Sequence, residues 1–137
     1  VSRTMLNSRR PAALVLGSML TFVSACALAA ASSRYPEFGE PRLVQGRTVW
    51  LGTCQDCHGN PLADAPQVKD AEAWAPRLGQ SRAALYDHAL GGYSSSEWTE
   101  MPARGGNPDL SDDEVRAAVD YMVRLVESLD DRRREMK

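Results

Sequence analysis

The chain has 137 residues, enough for one compact domain and too few for two ordinary ones, and its 43% hydrophobic and 25% charged content is that of a folded, soluble protein. The net charge is -2, from 16 Lys+Arg against 18 Asp+Glu; setting aside Arg3, Arg9 and Arg10 leaves 13 against 18, or -5, which points away from a nucleic-acid binder. There is no isoleucine, and the valines of the C-terminal two thirds fall mostly at helical spacing, which disfavours a sheet and predicts an all-α domain.

Residues 11–33 carry no charge and follow Arg3, Arg9 and Arg10, the layout of a secretory leader over residues 1–31. Ala27-Leu28-Ala29 is a small-x-small cleavage pattern. Val23-Ser24-Ala25-Cys26 resembles a lipobox, which would lipidate Cys26 and tether the domain to a membrane. An uncleaved anchor over Ala12–Ala31 is the bland alternative, weakened by Gly17, Ser18, Thr21 and Ser24. Either way the expected location is the bacterial periplasm, soluble or held at the membrane. Residues 32–40 are expected to be a linker, 41–129 the domain and 130–137 a charged, solvated tail.

Pro41 opens a helix expected to run to about Thr53, with Leu43, Gly46, Val49 and Trp50 on one stripe. It leads into Cys54-Gln55-Asp56-Cys57-His58, the C-x-x-C-H pattern of covalent c-type haem attachment. Two thiols about one helical turn apart can reach the two vinyl groups of one porphyrin, and the adjacent imidazole can face its iron. One motif implies one haem. Structural zinc would need a fourth ligand, and His88 is the only other Cys or His in the domain. A thioredoxin-like pair would need a βαβ setting, which the flanking segments do not provide.

Asp70 is the expected cap of a short helix through Trp74 that stops at Pro76. Ser81 then caps a helix reaching Leu90, ended by Gly91-Gly92. Met101 follows in a Gly/Ser/Pro-rich stretch with no helical face to join, and Pro102 stiffens the backbone after it, which suits a ligand carried on a loop. His88 is the rival. Ser111-Asp112-Asp113-Glu114 is a capping box that starts a helix expected to end near Leu129, with Val115, Val119, Met122, Val126 and Leu129 on its apolar stripe. Core packing accounts for Met122 without a metal.

Together these motifs resemble class I cytochromes c. Ala73-Trp74-Ala75-Pro76-Arg77, Met101-Pro102-Ala103-Arg104-Gly105 and Ala117-Ala118-Val119-Asp120-Tyr121-Met122 are similar to the cytochrome c5 subgroup. The resemblance implies three to four helices around one covalent haem c, anchored through Cys54 and Cys57, with His58 and Met101 as the iron's axial ligands. It further implies that the Pro66 carbonyl accepts the proximal imidazole N–H, and that Trp74 and Arg77 lie near the haem propionates. The subgroup commonly carries a second cysteine pair after the methionine, where this chain has Gly105-Gly106-Asn107-Pro108-Asp109. With no disulfide there, the loop is expected to open more readily on heating or in alkali.

The expected function is one-electron transfer with redox protein partners at the exposed haem edge, around Ala65 and Ala103–Gly106, and no bond-making on a substrate. A haem-bearing subunit of a larger oxidoreductase is the alternative. A haem sensor or small-ligand binder is a third reading, disfavoured by Met101, which would fill the sixth coordination position.

Overall fold

The computed structural model describes residues 34–95 and 100–137. Helix α1 (Pro41–Val49) begins at a proline, whose fixed φ suits the first helical position and whose missing N–H is no loss there. It passes through a π-helical stretch, Trp50–Cys54, into the short α2 (Gln55–His58). The helix therefore outruns its expected end at Thr53. The wide turn is closed by the Gln55 N–H on the Trp50 carbonyl, and the Gln55 side chain donates to Leu51 O at 2.6 Å. One unbroken spiral thus delivers both cysteines and the histidine.

Helix α3 (Ala71–Leu78) is capped as expected: Asp70 Oδ1 accepts from the N–H groups of Glu72 and Ala73 at 3.0 and 3.1 Å. It does not stop at Pro76. The carbonyl that loses its i-4 partner there belongs to Glu72, an exposed residue that water can reach, so the helix continues to Leu78. In α4 (Arg82–Gly91), Ser81 Oγ accepts from Ala84 N–H at 3.1 Å, and Gly91 is still helical. Gly92 ends the helix with φ of 88°.

Helix α5 (Asp112–Glu135) carries the complete capping box between Ser111 and Glu114. It absorbs most of the segment expected to be a loose tail. Arg133 and Arg134 pair with Asp130 one turn back, Arg133 also donates to Lys69 O, and three arginines in the last turn suit the helix C-terminus.

Helices α1 and α5 cross at Gly46. A Cβ on Gly46 would overlap the Ala117 carbonyl and lie 2.9 Å from Tyr121 Cβ, so only glycine permits this approach. The core beside the crossing is Trp50, Tyr121, Leu125 and Val126, all fully buried. Arg42 of α1 and Tyr86 of α4 both reach Asp120 of α5, tying three helices at the surface.

The expected linker is part of the domain from residue 35 onward. Tyr35 is buried with its ring edge-on to Trp50 at 5.1 Å, and Phe38 lies 5.7 Å from the Tyr121 ring with Arg124 over its other side. Tyr121 Oη donates to Pro36 O at 3.0 Å, and Arg47 donates to Tyr35 O at 3.1 Å. The leader, including Cys26, lies outside the described residues. No helix among the described residues is long and apolar enough to cross a membrane. The architecture is all-α, helices wrapped around a central cavity, as the sequence leads one to expect.

Candidate functional site

The cavity measures about 310 Å³ and is lined by residues from every helix. That volume falls within the range of cofactor sites, about 300–1,000 Å³. Cys54, Cys57, His58 and Met101 all lie on its wall, with Val49, Leu85, Ala89, Val115, Ala118 and Met122 supplying apolar surface. Four residues singled out by their motifs and loop setting are thus brought to one space, although 42 residues of chain lie between His58 and Met101.

His58 is buried, and its Nδ1 lies 2.9 Å from the Pro66 carbonyl oxygen. A carbonyl only accepts, so Nδ1 carries the proton and Nε2 keeps its lone pair for a metal. Burial pushes the imidazole pKa below its ordinary value; the Pro66 bond opposes this and the Arg77 charge reinforces it. His58 O accepts from Val68 N–H at 3.0 Å, and Gln67 Nε2 donates to Cys57 O and Ala65 O, so the loop carrying Pro66 is stapled to the cysteine motif.

Both cysteines are free thiols; Cys57 is exposed and Cys54 half-buried. Burial raises the Cys54 pKa to about 11, which leaves it protonated at neutral pH. A redox-active C-x-x-C pair needs the opposite shift. Among the described residues, no three His, Cys, Asp or Glu side chains gather closely enough to hold a metal between them, so structural zinc has no ligand set.

Trp74 is buried, lines the cavity 6.4 Å from the His58 ring, and its indole N–H has no partner among the described residues. An orphaned donor of this kind is costly unless something in the cavity accepts it. Arg77, one turn on, also lines the cavity and donates to Ala73 O. Thiols at one edge, a neutral imidazole with a free lone pair, a thioether opposite in sequence and an unpaired donor all fit an anionic, covalently held porphyrin.

Met101 is held by a device not visible in sequence. Its N–H donates to Tyr93 O at 2.8 Å and its carbonyl accepts from Tyr93 N–H at 2.9 Å, the one β-type bridge among the described residues. A Cβ at Gly92 would come within 2.9 Å of Met101 O, so the glycine after α4 lets the two bridged segments meet. His88 also lines the cavity, its ring tilted against that of Tyr93 with centroids 4.3 Å apart.

Residues 41–122 match the family described as cytochrome c oxidase, cbb3-type, subunit III. The chain is 40% identical over 87 residues to cytochrome c-555 of Prosthecochloris aestuarii, covering 61% of this chain and 88% of that one. It is 39% identical over 80 residues to cytochrome c5 of Azotobacter vinelandii, covering 58% and 93%. Among solved structures it resembles a chain from an electron transfer complex of nitrite reductase with cytochrome c, at 34% identity and a TM-score of 0.52, covering 64% of this chain and 96% of that one.

Proposed function

This chain belongs to the cytochrome c family, and from that premise we propose that it is a periplasmic one-electron carrier with a single haem c and His/Met ligation. As a family member it is a haem-based electron carrier with a covalent haem c. In the proposed arrangement Cys54 and Cys57 would hold the haem through thioethers, and His58 and Met101 would hold its iron. The bound haem supplies an iron that accepts and returns one electron.

The chain's own residues set the conditions for that exchange. Pro66 O fixes the His58 ring and its tautomer, which keeps Nε2 directed at a metal. Trp74 and Arg77 would offer a donor and a cation to propionate groups at the cavity wall. Val49, Leu85 and Val115 keep the walls apolar, and an iron held by both His58 and Met101 would have no place left for a small ligand. Redox proteins are the partners. Exposed, uncharged Cys57 and Pro102 on the cavity wall, with exposed Ala103 following Pro102, support brief docking there.

The observation that carries this reading is the meeting of Cys54, Cys57, His58 and Met101 on one cavity wall. The test is the optical spectrum of the periplasmically matured protein and of Met101→Ala. The sulphur-to-iron band is expected in the former and absent from the latter; an unchanged spectrum in the variant refutes methionine ligation. The family's description as an oxidase subunit favours a second reading, a permanent haem-bearing subunit of a larger oxidoreductase. A partner co-purifying in fixed stoichiometry would decide for it.

A further inference from the structure

The loop after Met101 contains three successive residues in the left-handed region: Arg104 at φ 55°, Gly105 at 65° and Gly106 at 82°. Glycine accepts that conformation freely and arginine does not, so something must hold Arg104 there. Its side chain supplies the hold. Nη1 donates to Leu110 O at 2.8 Å, and Nη2 pairs with Asp112 Oδ1 at 2.6 Å, at the first turn of α5. The backbone closes the same loop through Gly105 N–H to Pro102 O at 3.1 Å and Asn107 N–H to Arg104 O at 3.3 Å.

Met101 is therefore restrained from both sides. Upstream it is paired with Tyr93; downstream, three residues on, a planar guanidinium bridges the loop to a long, packed helix. Gly105 and Asn107 also approach Thr53, immediately before Cys54, so the loop lies against the segment that carries the first thiol. No cysteine pair is present to close this segment.

We propose that Arg104 is a positioning residue for the axial methionine, its guanidinium tying the Met101 loop to the start of α5. The inference rests on Met101 being the ligand. Loss of the tie lets the loop swing out and the thioether leave the iron while the helices stay folded, because Arg104 contributes no side chain to the buried core.

The test uses the matured ferric holoprotein and three variants. Arg104→Gly removes the tie and suits the left-handed backbone; Arg104→Lys keeps the charge facing Asp112 and loses the fork to Leu110 O. Met101→Ala serves as the control. Imidazole, added as a competing ligand, is expected to bind Arg104→Gly about tenfold more tightly than the parent, with Arg104→Lys between them. The sulphur-to-iron band of Arg104→Gly is expected to vanish well below the temperature at which far-ultraviolet ellipticity is lost. Parental imidazole affinity and band stability in Arg104→Gly overturn the proposal. So does a fall in band and ellipticity midpoints by the same amount, which marks a general loss of stability. If Arg104→Gly does not mature, Arg104→Lys carries the same comparison. An unchanged spectrum in Met101→Ala refutes the ligation itself, separately from the tie.

Discussion

A methyl group on Gly46 has no space to enter. It would overlap the Ala117 carbonyl, lie 2.6 Å from that carbonyl's carbon and 2.9 Å from Tyr121 Cβ, and the carbonyl belongs to the rigid backbone of α5. The two helices must separate to admit it, at a cost of about 1–3 kcal/mol typical of overpacking. That outweighs the gain in helix propensity from glycine to alanine, about 1 kcal/mol. Gly46→Ala is expected to lower the thermal midpoint of the holoprotein while leaving its spectrum intact, since Gly46 does not line the cavity. A midpoint at or above the parent's would contradict the close crossing. Periodicity places Gly46 and Trp50 on one helical face but does not point to Ala117 as what Gly46 meets, since an alanine carries no mark of what it touches.

At the scale of the element, the segment 35–38 shows what periodicity cannot report. Tyr35 and Phe38 dock onto Trp50 and Tyr121 without belonging to any helix, so no repeat betrays them, and the segment reads as a linker. The far end of α5 was hidden for the opposite reason: Asp130 to Glu135 is entirely charged, and its helix is supported by pairs one turn apart and a bond to Lys69 O. Capping residues were the most legible features, and Asp70, Ser81 and Ser111 each act as expected. Cys54, Cys57, His58 and Met101, which the fold brings to one cavity wall, could be singled out in sequence because ligand chemistry demands those residue types. The Tyr93 bridge and the Arg104 tie use backbone groups and a conformation that residue types do not announce.

The docking of residues 35–38 has a pH signature. Burial raises the Tyr121 pKa to about 12, with Tyr35 and Glu37 acting in the same sense and Arg47 against it. The unfolded chain ionises its tyrosines near 10. Between these values the folded state holds the proton that the unfolded state has lost, so this contribution is complete below about pH 10 and declines as pH rises toward about 12. Tyr86, raised by burial and by Asp120, adds in the same direction. Tyr121→Phe loses the bond to Pro36 O and is expected to be less stable at pH 8 by about 1 kcal/mol. Its stability should then fall less steeply than the parent's from pH 10 to 11.5, measured by denaturant titration of the reduced holoprotein. Parallel curves would show that Tyr121 does not ionise on unfolding.

At the scale of the molecule, the cavity decides whether the polypeptide can stand without its cofactor. The 310 Å³ cavity is partly open, and without the cofactor its apolar wall residues would face water, which disfavours the folded state. A small domain's whole stability is about 5–15 kcal/mol. The wall residues come from all the helices, so the cavity cannot close without moving the α1–α5 crossing, which Gly46 and Ala117 already hold at its tightest. A Cys54→Ser, Cys57→Ser chain, which cannot form the thioethers, is therefore expected to show markedly weaker far-ultraviolet ellipticity than the holoprotein and no sharp thermal transition. Added free haem should restore part of both if His58 and Met101 hold the iron as proposed, since both remain in this variant along with the unpaired indole of Trp74. A cooperative transition in the haem-free variant, at the holoprotein's midpoint, would mean that helix packing alone carries the fold. The covalent bonds would then serve only to retain the haem.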